Sequence, residues 1–479
     1  MKSVNSTIMK VGGLVGSLQM VNVGCGILRS KLVALWLGPV GVGLFGLLTS
    51  ALEMLSMLAQ LGLRPSAVRE LGVVSHAGIP RVVRTIRITA LTLGIAGALL
   101  TLACSPLLAR ITFGDTSWWW AFAWLSLAVL LNAVNNAEGA VFQGLKRFRK
   151  LARCSMAGTL GGCLVSIPMF YFWRLDSVVP SILAYAVCTW LALGFYREKV
   201  RQPKACDASC AASEDESTVA IARRLVTFGM YLTVMGFANY AMTYVFMIYL
   251  NHTASEATVG YYNAATTLVT RYGDLLLTAL SMEYLPRLAA HARSRRRTSL
   301  MVSNQMMLIT TALVACIPMF IACSPLIIKL LYSSAFLPAL PFMVLAAAAT
   351  LIKGVSWAMA TEIMARGDGR MFVVTELSSC IICLALSIAG FHFGGFIGLG
   401  VAYLLWQAAY ALIIMWVWRG RYHLGMPGRV TPLLTAVLVT VVPVTALAMA
   451  GLPYWGLTVA IPATLWGVRR MMLIYRGKR

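Results

Sequence analysis

The sequence predicts an all-α polytopic membrane protein with 12–14 transmembrane helices, and three observations carry that prediction. Hydrophobic residues make up 59% of the chain and charged residues only 12%, where about a quarter of an ordinary soluble domain is charged. Mean hydropathy is +0.79. Mostly apolar runs of 18 or more residues recur from end to end, each long enough to cross about 30 Å of hydrocarbon.

Taken in order, the first run, 11–33, holds Arg29 and Lys31 within GCGILRSKLVALWLG. The second, 43–62, carries Glu53, and the third, 88–109, ends in ACSPLLARITF. The fourth, 118–141, carries Asn132, Asn135, Asn136 and Glu138; the fifth and sixth are 154–173 and 178–196. The stretch REKVRQPKACDASCAASEDESTVAIARR then interrupts the apolar pattern with charges of both signs and no apolar face, as a solvated linker does. Beyond it lie 225–250, 259–282 with Arg271 and Asp274, 302–328, 339–364 with Lys353 and Glu362, 372–391 with Glu376, and 396–418. Two further runs, 431–450 and 453–470, close the chain. The last holds Pro462 and is cut short by Arg469 and Arg470; it reads as a span, with a re-entrant segment as the alternative.

The two sides of the linker resemble each other. ACSPLLARITF (Ala103 to Phe113) matches ACSPLIIKLLY (Ala322 to Tyr332) at an offset of 219 residues, and VGLFG matches VGYYN at 217. QGLKRF parallels ARGDGRMF, with Gly144 against Gly367. A near-constant offset indicates an internal duplication of six helices. Because six is even, the copies enter from the same side and form parallel repeats with a cavity expected between them. The predicted division is 1–197 for the first lobe, 198–224 for a cytoplasmic linker, 225–420 for the second lobe, and 421–479 for an extra helix pair with a basic tail.

A net charge of +24 invites a nucleic-acid reading, but its location argues otherwise. With a cytoplasmic N-terminus, most of the 40 Lys and Arg fall in cytoplasmic gaps and tails. The positive-inside rule therefore accounts for them and places both termini in the cytoplasm. The excess faces anionic headgroups of membrane lipids, and no nucleic-acid partner is expected.

Ionisable residues inside the spans are functional candidates. Arg29 and Lys31 are two positions apart, roughly 200° around a helix, so they point in different directions. Arg29 is expected to face the cavity, with Lys31 as a rim contact; the alternative is that both snorkel to the outer interface. Arg271 has Asp274 three residues on, which also allows a private ion pair. Lys353 has no carboxylate three or four residues away. Basic residues in spans one, eight and ten draw on both halves and suit an anionic cargo, since Arg and Lys both bind phosphate oxygens. Glu53, Glu138, Asp274, Glu362 and Glu376 are candidates for charge compensation or ion coupling. Asn132, Asn135 and Asn136 can line a hydrated path or tie helices together. There is no Walker A pattern, HExxH or G-x-S-x-G, and CIIC (Cys380, Cys383) lies inside a span without a βαβ context. No enzyme activity, cofactor or metal is expected.

KLVALWLGPVGVGLFGLL followed by LGLRPSAVREL resembles the start of Wzx-type O-antigen and polysaccharide flippases of the MOP superfamily. ALSMEYLPRLAAHA and IKGVSWAMATEIMARGDGRMFVVTEL resemble the lipid III flippase group of the same superfamily. The resemblance, over about residues 5–420, implies a V-shaped protein of two six-helix lobes. It implies translocation of an undecaprenyl-diphosphate-linked oligosaccharide, such as a lipopolysaccharide repeat unit, from the cytoplasmic to the periplasmic leaflet of the bacterial inner membrane. Arg29 and Arg271 match contexts thought to contact the diphosphate, and Lys353 a basic position in span ten. Other polysaccharide-assembly proteins are implied partners. A multidrug or metabolite antiporter of the superfamily and a membrane enzyme of polysaccharide assembly are the competing readings.

Overall fold

A computed structural model describes residues 23–74, 78–196, 218–271, 294–422 and 431–475, with isolated positions 273, 277, 284 and 288 between them. Among these residues the secondary structure is helical, without strands. Among the described residues, eight stretches are long and apolar enough to cross a membrane. Two of them, Phe148–Phe195 and Gly369–Gly420, double back on themselves and so hold two helices each. Large apolar side chains cover the outside: Phe393 is 87% exposed and Trp416 72%. A surface of that kind is stable against lipid rather than water. The chain is a multi-pass membrane protein.

Helices α1 (23–36), α2 (Gly38–Gln60), α3 (Leu63–Val73), α4 (Ile79–Ala103), α5 (Ser105–Phe113), α6 (Trp119–Gly144), α7 (Phe148–Trp173), α8 (Val178–Phe195) and α9 (Thr218–Thr253) lie in a compact unit of residues 1–259. The second unit, 260–479, takes up most of α10 (Glu256–Thr266) and a π-helical turn, Thr267–Arg271. It continues with α11 (Arg295–Ala322), α12 (Ser324–Leu331), α13 (Leu340–Ala365), the hairpin α14 (Gly369–Gly420), α15 (Thr431–Met449) and α16 (Leu457–Tyr475). The stretch 197–217, most of the expected linker, lies outside the described residues. Sequence places span seven with the second set of helices, whereas α9 packs within the first unit.

Local chemistry explains that packing of α9. Leu61 and Gly62 both take left-handed φ, 44° and 62°, and bend the chain between α2 and α3. The bend sits on the backbone of Gly229, where an added Cβ would lie 2.0 Å from the Leu61 carbonyl oxygen. Arg224 pairs with Glu70 across α9 and α3, and Ile221 and Leu225 join the core of Leu63, Ala67, Leu71, Val82 and Ile86. At the other end of α9, Asn251 donates to the Thr112 carbonyl at 2.9 Å.

The repeated ACSPL segments adopt the same geometry in each unit. α4 stops at Cys104 (φ −85°, ψ 0°) and α11 at Cys323 (φ −90°, ψ 3°), each followed by Ser-Pro opening a short new helix. Proline is favoured in a first helical turn and disfavoured inside one. Spans three and nine therefore end earlier than their apolar runs. The turn after α6 has the 6→1 bond from Arg147 N–H to Phe142 C=O, and the turn after α13 has it from Asp368 N–H to Ile363 C=O. The left-handed residue of that motif is Lys146 (φ 57°) in one and Gly367 (φ 74°) in the other. Gly367 therefore corresponds to Lys146 and not to Gly144.

Small residues make the close helix contacts, as in membrane interiors generally. Gly158 and Gly162 lie against Thr189 and Tyr185, joining α7 to α8. The α14 hairpin turns at Gly394 and Gly395. Trp406 bonds to Ser379 at 2.9 Å and Tyr410 to Glu376 at 2.6 Å along its two arms. α16 is a continuous helix of 19 residues, about 28 Å long at 1.5 Å per residue. It runs antiparallel to α11, with Gly467 on Ala315 and Gly456 near Ala322.

Candidate functional site

Arg29 lies on α1 with its side chain half-buried. Its guanidinium carbon is 4.7 Å from the ring centroid of Phe45 on α2 and 5.4 Å from that of Tyr185 on α8. Each such contact is worth about 0.5–2 kcal/mol, more where water is excluded. The rings give the guanidinium a favourable place among apolar helices. Tyr185 is itself placed by α7: its hydroxyl is 3.3 Å from Thr159 Oγ1, and Gly162 leaves the space its ring occupies. Lys31, two residues beyond Arg29, is also half-buried. Phe45 and Tyr185 were not legible as site residues. They are 140 residues apart in sequence, and an aromatic residue in an apolar run reads as packing.

In the second unit, Arg271 ends the π-helical turn Thr267–Arg271, a rare geometry that recurs at functional sites. The side chain of Arg271, and Asp274 altogether, lie outside the described residues. Lys353 is half-buried on α13. An added Cβ on Gly273 would lie 3.5 Å from Thr350 Cγ2, one helical turn before Lys353. The backbone that carries Arg271 and the helix that carries Lys353 are therefore neighbours.

The acidic candidates have distinct surroundings. Glu53 is exposed on α2. Glu138 on α6 is buried and ion-paired with Arg87 on α4, Oε1 to Nε at 2.7 Å. Glu362 on α13 is fully buried and accepts from Arg366 Nε at 2.8 Å. The Arg366 guanidinium also lies 4.4 Å from the Tyr422 ring centroid. Glu376 accepts the Tyr410 hydroxyl. The Glu362–Arg366 pair follows a four-residue spacing readable in the sequence; the Arg87–Glu138 pair has no such signal.

The asparagines tie helices together. Asn132 bonds to Ser56 at 3.4 Å, Asn136 to Gln60 at 3.0 Å, and Asn135 to the Ala186 carbonyl at 3.1 Å. Arg64 donates to Asn136 at 3.3 Å, which extends this polar track to α3. Cys380 and Cys383 are free thiols. Among the described residues no group of three or more His, Cys, Asp or Glu is placed to hold a metal ion.

Comparison with known proteins gives the family. Residues 32–341, about two thirds of the chain, match the profile of a family described as polysaccharide biosynthesis protein. No curated protein matches the chain in sequence. Among solved structures, the lipid II flippase MurJ in an inward closed conformation aligns over 96% of this chain and 98% of its own, with TM-score 0.71 and 11% identity. An inward-facing multidrug resistance MATE transporter of the MOP superfamily aligns over 81% and 92%, with TM-score 0.66 and 14% identity. A MOP superfamily transporter from Pyrococcus furiosus, described as having a binding pocket of reversed polarity, aligns over 86% and 96%, with TM-score 0.60 and 14% identity. At such identities the likeness is one of fold. The family match over most of the chain makes this chain a member of the polysaccharide biosynthesis protein family, with a fold like that of those transporters.

Proposed function

We propose that the chain is a flippase that moves an undecaprenyl-diphosphate-linked oligosaccharide, an O-antigen or related surface-polysaccharide repeat unit, from the cytoplasmic to the periplasmic leaflet. The observation that carries this reading is Arg29, a half-buried guanidinium on α1, set on the rings of Phe45 and Tyr185. A diphosphate is costly to bring into low dielectric without cations. Guanidinium offers it paired N–H donors, and Lys a point charge. Arg29, Arg271 and Lys353 hold the diphosphate in this reading, with Lys31 at the rim, while the lipid tail stays in the bilayer. The lobes rock around the site in alternating access. Glu53, Glu138, Asp274, Glu362 and Glu376 serve charge compensation or ion coupling. The inner membrane is the location, and both termini are cytoplasmic by the basic-residue bias.

The family and the flippase among the fold neighbours support the same cargo class. A cationic drug would call for an acidic chamber, so the basic candidates disfavour the antiporter reading. Other polysaccharide-assembly proteins would supply and consume the lipid-linked glycan.

The test is complementation of a strain lacking its own flippase. Arg29→Ala and Arg271→Ala should abolish surface glycan while inserting normally. Wild-type glycan from both variants would overturn the diphosphate-clamp reading. In liposomes the purified protein should move a lipid-linked glycan without altering it; lengthening or cleavage would identify an enzyme instead.

A further inference from the structure

Arg29 is the tip of a long flexible side chain, yet two rings from two other helices meet its guanidinium. A guanidinium carries its five donors in one plane, and phosphate is recognised by pairs of donors in that plane. Whatever fixes the plane fixes the direction in which the donors present themselves. Tyr185 is the more elaborately placed ring. Gly162 leaves room for it, since an added Cβ there would lie 2.7 Å from Tyr185 Cδ2, and Thr159 lies within hydrogen-bond distance of its hydroxyl. α7 thus sets Tyr185 on α8, and Tyr185 with Phe45 sets Arg29 on α1.

We propose that Tyr185 and Phe45 are positioning residues, which hold the Arg29 guanidinium plane in register for the diphosphate of the lipid-linked substrate. This rests on the reading of Arg29 as a diphosphate contact. The aromatic ring does the positioning, and the Tyr185 hydroxyl places the ring. Ring loss then weakens capture of the diphosphate, whereas loss of the hydroxyl alone is mild.

The experiment uses purified full-length protein in liposomes, with a fluorescent undecaprenyl-diphosphate-linked oligosaccharide and inorganic pyrophosphate as competitor. Initial flipping rates are measured against substrate concentration. Tyr185→Leu and Phe45→Leu, which keep apolar bulk and lose the ring, should each raise the half-saturating concentration and the inhibitory pyrophosphate concentration by roughly tenfold. The maximal rate and thermal stability should change much less. Tyr185→Phe should bring both concentrations back to within about twofold of wild type, because its ring offers the same face to the cation. A merely packing role would lower stability and maximal rate and leave pyrophosphate competition unmoved; that outcome overturns the proposal. Should one Leu variant fail to insert, the other decides. Wild-type competition in the ring variants beside an inactive Arg29→Ala removes the positioning role and leaves the clamp standing. Wild-type transport by Arg29→Ala removes both.

Discussion

Arg87 and Glu138 meet across α4 and α6 from 51 residues apart in sequence, Nη2 donating to Oε2 at 2.8 Å beside the Nε–Oε1 contact at 2.7 Å. The carboxylate is 7% exposed and the guanidinium 21%. Removing one partner of such a buried pair costs about 3–5 kcal/mol, while replacing both by apolar side chains is often neutral. Glu138→Ala should therefore lower the Tm of the detergent-purified protein sharply. A double variant, Arg87→Leu with Glu138→Leu, should recover most of the loss. Equal Tm for the single and double variants would count against the pair as the cause.

Gly229 meets the α2–α3 bend backbone to backbone. Gly229→Ala would put a methyl 2.0 Å from the Leu61 carbonyl oxygen, so the two elements must part. Overpacking of this sort costs about 1–3 kcal/mol or more. Gly194→Ala on α8, which meets nothing within 4 Å, should instead gain up to about 1 kcal/mol from helix propensity. Thermal melts of the two variants should move in opposite directions.

Lys146 and Gly367 occupy equivalent left-handed positions, at φ 57° and 74°. Only glycine takes this conformation without cost. Lys146→Gly should raise stability by about 1 kcal/mol, and Gly367→Ala should lower it by a similar amount. A fall on Lys146→Gly would mean that the lysine side chain contributes more than its backbone costs.

Asp368 caps the first arm of α14, accepting from Met371 N–H, and also bonds Arg421 Nε at 2.7 Å and Tyr422 at 3.2 Å. Burial pushes its pKa up, but the Arg421 hydrogen bond, the Met371 N–H, the Arg421 charge and the Tyr422 hydroxyl together hold it below the ordinary carboxylate value. A depressed carboxylate contributes its stability fully above the unfolded pKa of about 4 and loses it as pH falls through the folded one. Arg421 is 58% exposed, so solvent screens the ion pair itself. Asp368→Asn should destabilise at pH 7 and match wild type at the acid end of that window. Melts at both pH values check it, and a difference that persists in acid contradicts it.

The membrane class and most spans were legible because hydropathy acts residue by residue and needs no partner. The paired ACSPL breaks were legible as a repeat, and Ser-Pro made each a helix start. The boundaries moved where a local break beat the apolar pattern, at Cys104 and Cys323. Helix α3 carries charges among its apolar residues, and the partners that cover it, α6 and α9, lie far along the chain. Arg29 was legible as a costly charge, but its rings were not: a Phe and a Tyr in apolar helices carry no mark of what they touch.

The sequence by itself determined that the chain crosses a membrane repeatedly, that most of its basic charge lies between spans, and that a few cations are kept inside them. These follow from transfer energies summed along a helix. Only the tertiary structure decided what each buried charge meets. It set Glu138 on Arg87, Glu362 on Arg366 and Arg29 on two aromatic rings, and it joined α9 to the first unit through Gly62 and Gly229. Except for Glu362 and Arg366, one helical turn apart, these partners come from separate helices. Close approach in space, rather than spacing along the chain, governs such short-range contacts.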